Sequence, residues 1–313
     1  MRRQTRRTPH VQPFHHTAGV PDYVVAPLIE LYRGNRFRAW RPRELVDLVA
    51  GQPQDFPAGS AWSYSNTGYV LVGMIIERVT GRHLGSEIAR RILRPLHLWD
   101  TSFPVNFPFL PGPHARGYSL DFDEQLNPIE GRLLDFTVYN PSLAWGAGNM
   151  VSDMDDLARF YRALLGGRLL SPELLAQMKT RVEIVPGVGY GLGLFVFDTA
   201  CGPLWGHGGS IPGFNNELFS SEDGTRQYGL MINADAAPAA VYEQFFLAGE
   251  QAVAEAFRMP CPAPAGEADA PAAIASRSSS DRPRASGQAE RVDAFSRLRR
   301  DRTIGSWWVD SRR

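Results

Sequence analysis

The 313 residues predict a mixed α/β fold, a helical lobe followed by one antiparallel sheet with helices packed against it. Two observations carry this. As far as about Lys179 the apolar residues recur with helical spacing between cap signals, whereas from Gly187 onward the pattern changes to period 2 in short apolar runs. No repeat of about 20 to 50 residues suggests a stacked architecture instead.

Each element follows from its stretch of sequence. "RPRELVDLVAG" sets Leu45, Leu48 and Val49 on one helical face and stops at Gly51. "TGYVLVGMIIERVTG" is apolar almost all round and ends at Gly81, as expected of a buried helix central to its lobe. "GSEIARRILRPL" is a further helix, expected to be cut by Pro95. Residues 100–148 are rich in Pro, Gly, Asn and Asp and read as long surface loops. "SDMDDLARFYRALLGG" predicts a helix with Ser152 as N-cap and Asp155 at N3. Leu157, Phe160, Tyr161, Leu164 and Leu165 share one side, and Gly166 is the stop. "SPELLAQMK" repeats the start signal with Ser171 as cap and Pro172 at the first helical position. "GLFVF", "PLWGHGGSI", "GFNNELFSS" and "RQYGLMINA" then read as consecutive antiparallel strands, closed by an amphipathic helix in "AAVYEQFFLAGEQAVAEAF". The helical lobe is thus expected over residues 42–98 and neighbours, the sheet mainly over 188–236.

Composition bounds what such a chain does. Formal net charge is zero with no long run of one sign, which argues against a nucleic-acid partner. No stretch approaches the roughly 18 apolar residues of a spanning helix, and the Arg-rich start lacks the apolar core of a secretory signal. No membrane span is expected, and the chain as written reads as unexported, with its compartment unassigned. Cys201 and Cys261 lack metal spacing and read as free thiols. Residues 1–12 and 260–313 have the composition of disordered ends around a domain at 13–259. Trp307 and Trp308 in the tail lack a periodic context and receive no role.

Tyr64 and Asn66 in "WSYSNTGY" suit a turn ahead of a helix as well as a site. His207 in "GHGGS" is equally a structural histidine or a mark of close backbone approach to a ligand. His10, His15 and His16 lack a carboxylate or cysteine at ligand spacing, so no metal is expected. "GVGYGLG" fails as a phosphate loop because it runs into a strand.

The combination is more specific than its parts. "PFHHTAGVPDY", "FPAGSAWSYSNTGYVLVGMIIERVTGRHL", "RILRPLHLWDTSF", "WGAGNMVSDMDDLARFYRALLGG", "YGLGLFV" and "WGHGGSIPGFNN" resemble, in order and spacing, the serine β-lactamase-related family. That family includes class C β-lactamases, D-Ala-D-Ala carboxypeptidases and esterases, and the resemblance covers roughly residues 11–258. It implies a β-lactamase/transpeptidase-like fold and acyl transfer through a covalent serine, without a cofactor. The substrate so implied is a small-molecule or peptide amide or ester. By the same resemblance Tyr64 matches the proton-handling tyrosine of Y-x-N and Asn66 the residue that orients the substrate amide. His207 and Gly209 match an H-x-G form of the third motif, carried on an edge strand, and Ser210 offers a backbone N–H to the oxyanion hole.

One motif is missing. S-x-x-K needs a lysine, the only lysine is Lys179, and Ala176 stands three residues before it. The family places that motif ahead of the "HTAG" loop, where 15 residues precede His16, so the N-terminal part with the nucleophile and first strands is expected to be absent. Ser63 and Ser65 have no lysine or histidine neighbour in sequence to activate them. Loss of the nucleophile lowers turnover on the order of 10⁶-fold, so the chain as given is expected to be inactive. The alternative is a non-catalytic module that binds peptidoglycan-like peptides or acyl ligands.

Overall fold

The computed structural model describes residues 13–123, 128–199 and 202–234. The expected closing helix at 239–257, both cysteines, His10 and the tail lie outside the described residues. In chain order the helices are α1 (Val25–Tyr32), α2 (Pro42–Asp47), α3 (Asn66–Thr80), α4 (Leu84–Ile88), α5 (Arg94–Leu96), α6 (Met154–Leu165) and α7 (Pro172–Met178). The strands are β1 (Tyr118–Phe122), β2 (Pro128–Asp135), β3 (Val182–Val185), β4 (Val188–Tyr190), β5 (Phe195–Thr199), β6 (Gly202–Ile211), β7 (Phe214–Ser221) and β8 (Gln227–Ile232).

β3 to β8 form one antiparallel meander in sequence order. The sheet starts at Val182, one short strand earlier than the period-2 pattern suggests, because β3 has only 4 residues. α6 packs on its far strands, burying Tyr161, Leu164 and Leu165 against Leu194, Val196, Trp205 and Leu218. The helical lobe has its own core around Tyr23, Leu31, Trp40, Leu45, Val70, Phe136 and Trp145. Among the described residues no helix is long and apolar enough to cross a membrane.

Four expectations are corrected. α6 begins one residue late: the N-cap is Asp153, whose carboxylate accepts the Asp156 N–H at 2.8 Å. Ser152 instead pairs its hydroxyl with Thr101 at 2.8 Å, so Asp156 rather than Asp155 occupies N3. Pro95 does not cut its helix. A π turn over Ala89–Leu93 widens the ladder just ahead of it, which accommodates the missing N–H, and the helix runs to Leu96 before His97 turns left-handed at φ 56°. Residues 100–148 are not all loop, since β1 and β2 pair as a hairpin. A bulge between Leu120 and Asp121 and Gly131 at φ 74° break the alternation that would have betrayed it. Finally, α3 is buried along its first half only. Gly73 lets Trp145 close in, a Cβ there lying 2.7 Å from its ring, whereas Ile75 and Val79 are 59% and 79% exposed.

Candidate active site

The site lies on the seam between lobe and sheet, and the opening loop is wedged into that seam. His15 donates from Nδ1 to the Tyr190 carbonyl on β4 at 3.4 Å. His16 is 2% exposed and held at φ 58°, a left-handed conformation unusual for a residue with a side chain. Its ring lies 4.1 Å from that of Tyr64 and 4.7 Å from that of Tyr190. Nδ1 accepts the Ser65 N–H at 3.1 Å, so the ring proton sits on Nε2, which is buried without a partner among the described residues. Burial, helped by His207 and His15, pushes the His16 pKa down to about 3.

Tyr64 stands in the extended stretch just before α3, where Ser65 is the N-cap residue. Asn66 opens the helix and donates to the Asp22 carboxylate at 2.8 Å, while the Thr67 hydroxyl donates to the Pro21 carbonyl at 2.7 Å. The "VPDY" stretch is thereby stapled to the first turn of α3, and Asn66 keeps its carbonyl oxygen free of that bond. Burial raises the Asp22 pKa against the hydrogen bonds it accepts. The Tyr64 hydroxyl makes no hydrogen bond among the described residues. Burial first, then Tyr69 and Asp22, push its pKa up, so the phenol is protonated at neutral pH.

β6 brings the other half. Gly206 is required because a Cβ would sit 2.0 Å from the Leu218 carbonyl oxygen, and Gly209 because one would meet the Asn216 amide at 2.8 Å. β5 pairs only with Gly202–Gly206, whereas β7 follows β6 to Ile211. From His207 onward, β6 is therefore an edge strand on one side. The His207 ring lies 6.1 Å from that of Tyr64 and 5.1 Å from that of Phe195. Its Nδ1–H donates to the Gly208 carbonyl and its Nε2 pairs with the Tyr190 hydroxyl at 3.0 Å.

The fold thus brings Tyr64 and His207 side by side from opposite halves of the chain. Asn66 adjoins Tyr64 through α3, and Gly209 and Ser210 join through β6. Sequence reasoning missed Tyr190, His16 and Asp22 as parts of the site. Their only signal was membership of the "YGLGL" and "HTAGVPD" stretches. Among the described residues no group of three or more His, Cys, Asp or Glu side chains could hold a metal ion.

Comparison with known proteins places the chain among relatives of the same fold. A D-stereospecific amidohydrolase from Streptomyces sp. is 39% identical with a TM-score of 0.66, over 72% of this chain and 67% of that one. The D-amino acid amidase of Ochrobactrum anthropi SV3, solved with D-phenylalanine, is 27% identical with a TM-score of 0.65, over 82% and 74%. Penicillin-binding protein 4* of Bacillus subtilis is 27% identical over 220 residues, covering 65% of this chain and 46% of that protein. The chain therefore spans about half the length of the curated relatives it matches. A family model described as Beta-lactamase matches residues 14–245, and the chain belongs to that family of serine hydrolases.

Proposed function

We propose that these residues form the proton-handling and substrate-orienting half of a serine amidohydrolase centre that acts on small amides of the D-amino-acid kind. The observation that carries this is the approach of Tyr64 to His207 across the seam, with the Tyr64 hydroxyl left free for a ligand. In this reading Asn66 orients the substrate amide, Gly209 permits close approach, and the Ser210 N–H helps stabilise the oxyanion. The D-stereospecific amidohydrolase and D-amino acid amidase neighbours support an amide over an ester.

Acylation needs a serine oxygen to attack the amide carbonyl while the departing amine takes a proton. Tyr64, protonated at neutral pH, is suited to give that proton to the amine, and the proton that the attacking serine loses restores the phenol. The serine and lysine of S-x-x-K are not among the 313 residues, so in this reading they act from outside them. A second reading, binding without turnover, is favoured by the neutral Tyr64: among the described residues no Lys or Arg adjoins it to draw its proton away.

The test is mass spectrometry of the 313-residue chain after a fluorophosphonate or penicillin probe, with calorimetry of D-phenylalaninamide. The amide is expected to bind, no adduct to form, and Asn66→Ala to weaken binding on the order of tenfold. A covalent adduct would show that a serine of this chain is itself the nucleophile. Absence of binding would remove the seam as a substrate site.

A further inference from the structure

The two nitrogens of His207 are both engaged, and their partners dictate the ring's chemistry. A carbonyl oxygen only accepts, so the contact between Nδ1 and the Gly208 carbonyl places the ring proton on Nδ1. Nε2 then carries a lone pair, and the Tyr190 hydroxyl at 3.0 Å must donate to it. Tyr190 is 1% exposed, with its ring packed edge-on to Phe195 at 4.6 Å, so the donor is fixed in place. The titratable groups that face His207 or its partner Tyr190 are Tyr64 ahead of α3, Tyr69 on α3, Tyr190 itself on β4, Tyr161 on α6 and His16 in the opening loop. All five are neutral at neutral pH, and among the described residues no arginine or lysine stands with them.

We propose that Tyr190 is the positioning residue of His207, and that the locked pair selects acyl donors carrying no carboxylate beside the scissile bond. This rests on the seam being the substrate site. A carboxylate entering there finds no free N–H on the ring, because Nε2 bears no proton and is already taken by the Tyr190 hydroxyl while the Nδ1–H is given to Gly208. It therefore gains no charge-assisted hydrogen bond to offset the loss of its water. A carboxamide of the same shape carries no charge to desolvate, and its N–H groups can donate. Burial lowers the His207 pKa in the same direction, which keeps the ring neutral. The site is in this respect built for amino-acid amides and against free-acid peptides.

The experiment uses the full chain with a ligand pair differing in one group: N-acetyl-D-alanyl-D-alaninamide and N-acetyl-D-alanyl-D-alanine. Calorimetry at pH 7 is expected to show the amide binding at least on the order of tenfold tighter. Ring ¹⁵N shifts are expected to show His207 with its proton on Nδ1. In Tyr190→Phe the Nε2 is released, so the His207 titration midpoint moves up and the preference for the amide shrinks as pH falls. His207→Lys, which places a cation at the strand, is expected to invert the preference. Equal or tighter binding of the acid by the unaltered chain overturns the selection while leaving the amidohydrolase reading intact. A proton on Nε2, or a titration unmoved by Tyr190→Phe, overturns the positioning role even if neither ligand binds. Absence of binding by both ligands ends the amidohydrolase reading and the selection with it.

Discussion

His16 concentrates several demands on one side chain. It supplies the acceptor for the Ser65 N–H, the wall against Tyr64, and a left-handed turn in the opening loop. His16→Ala leaves that N–H unsatisfied in a buried place, which costs about 1–3 kcal/mol before the lost packing is counted. His16→Asn tolerates the left-handed conformation and offers an acceptor, so urea denaturation should find it clearly the milder of the two. None of this was visible in the sequence, where two adjacent histidines suggest only a weak metal signal. Tyr64, Asn66 and His207 could be named as candidates because they stand in stretches that resemble a known family, and the fold brings Tyr64 and His207 together. Asp22 and Tyr190 could not be named, since their importance arises from partners 44 and 17 residues away.

Among the elements, α6 shows what local sequence can and cannot decide. Its periodicity and its stop at Gly166 were readable, but the choice between two adjacent cap residues was settled by tertiary context. Thr101 takes the Ser152 hydroxyl and leaves the capping to Asp153. Asp153→Ala should therefore destabilise the fold by about 1 kcal/mol in thermal or denaturant melts, typical of a lost N-cap. The β1–β2 hairpin stayed hidden for the opposite reason, because a bulge and a left-handed glycine erase the period-2 signature while backbone pairing survives. The meander from β4 to β8 was legible because turn residues punctuate each apolar run.

For the molecule as a whole, acid is the revealing perturbation. The His16 pKa falls from 6.5 to about 3 on folding, so below 6.5 the unfolded chain takes up a proton that the folded one refuses. Stability is then lost as pH drops through that window, by up to about 1.4 kcal/mol per unit. Glu87, held down to about 2 mainly by its bonds to Arg90 and Arg91, adds a loss between 4.5 and 2. Asp22, whose pKa is raised, works the other way. Melting temperatures of the unaltered chain should begin to decline below pH 6.5, and those of His16→Asn should decline there less steeply, with only the share that buried His207 contributes. An early decline of the same steepness in both would remove His16 as a cause. The bare flank of β6 has a consequence of its own. Over "HGGSI" one ladder of amides and carbonyls faces away from β7 with no strand beside it among the described residues and no lysine or proline within the stretch to repel a newcomer. The groups that would grip an extended guest are the same groups by which two molecules could zip together. Crowding and occupancy are therefore opposed in this fold, and a tenant lying along that flank would also act as a solubiliser.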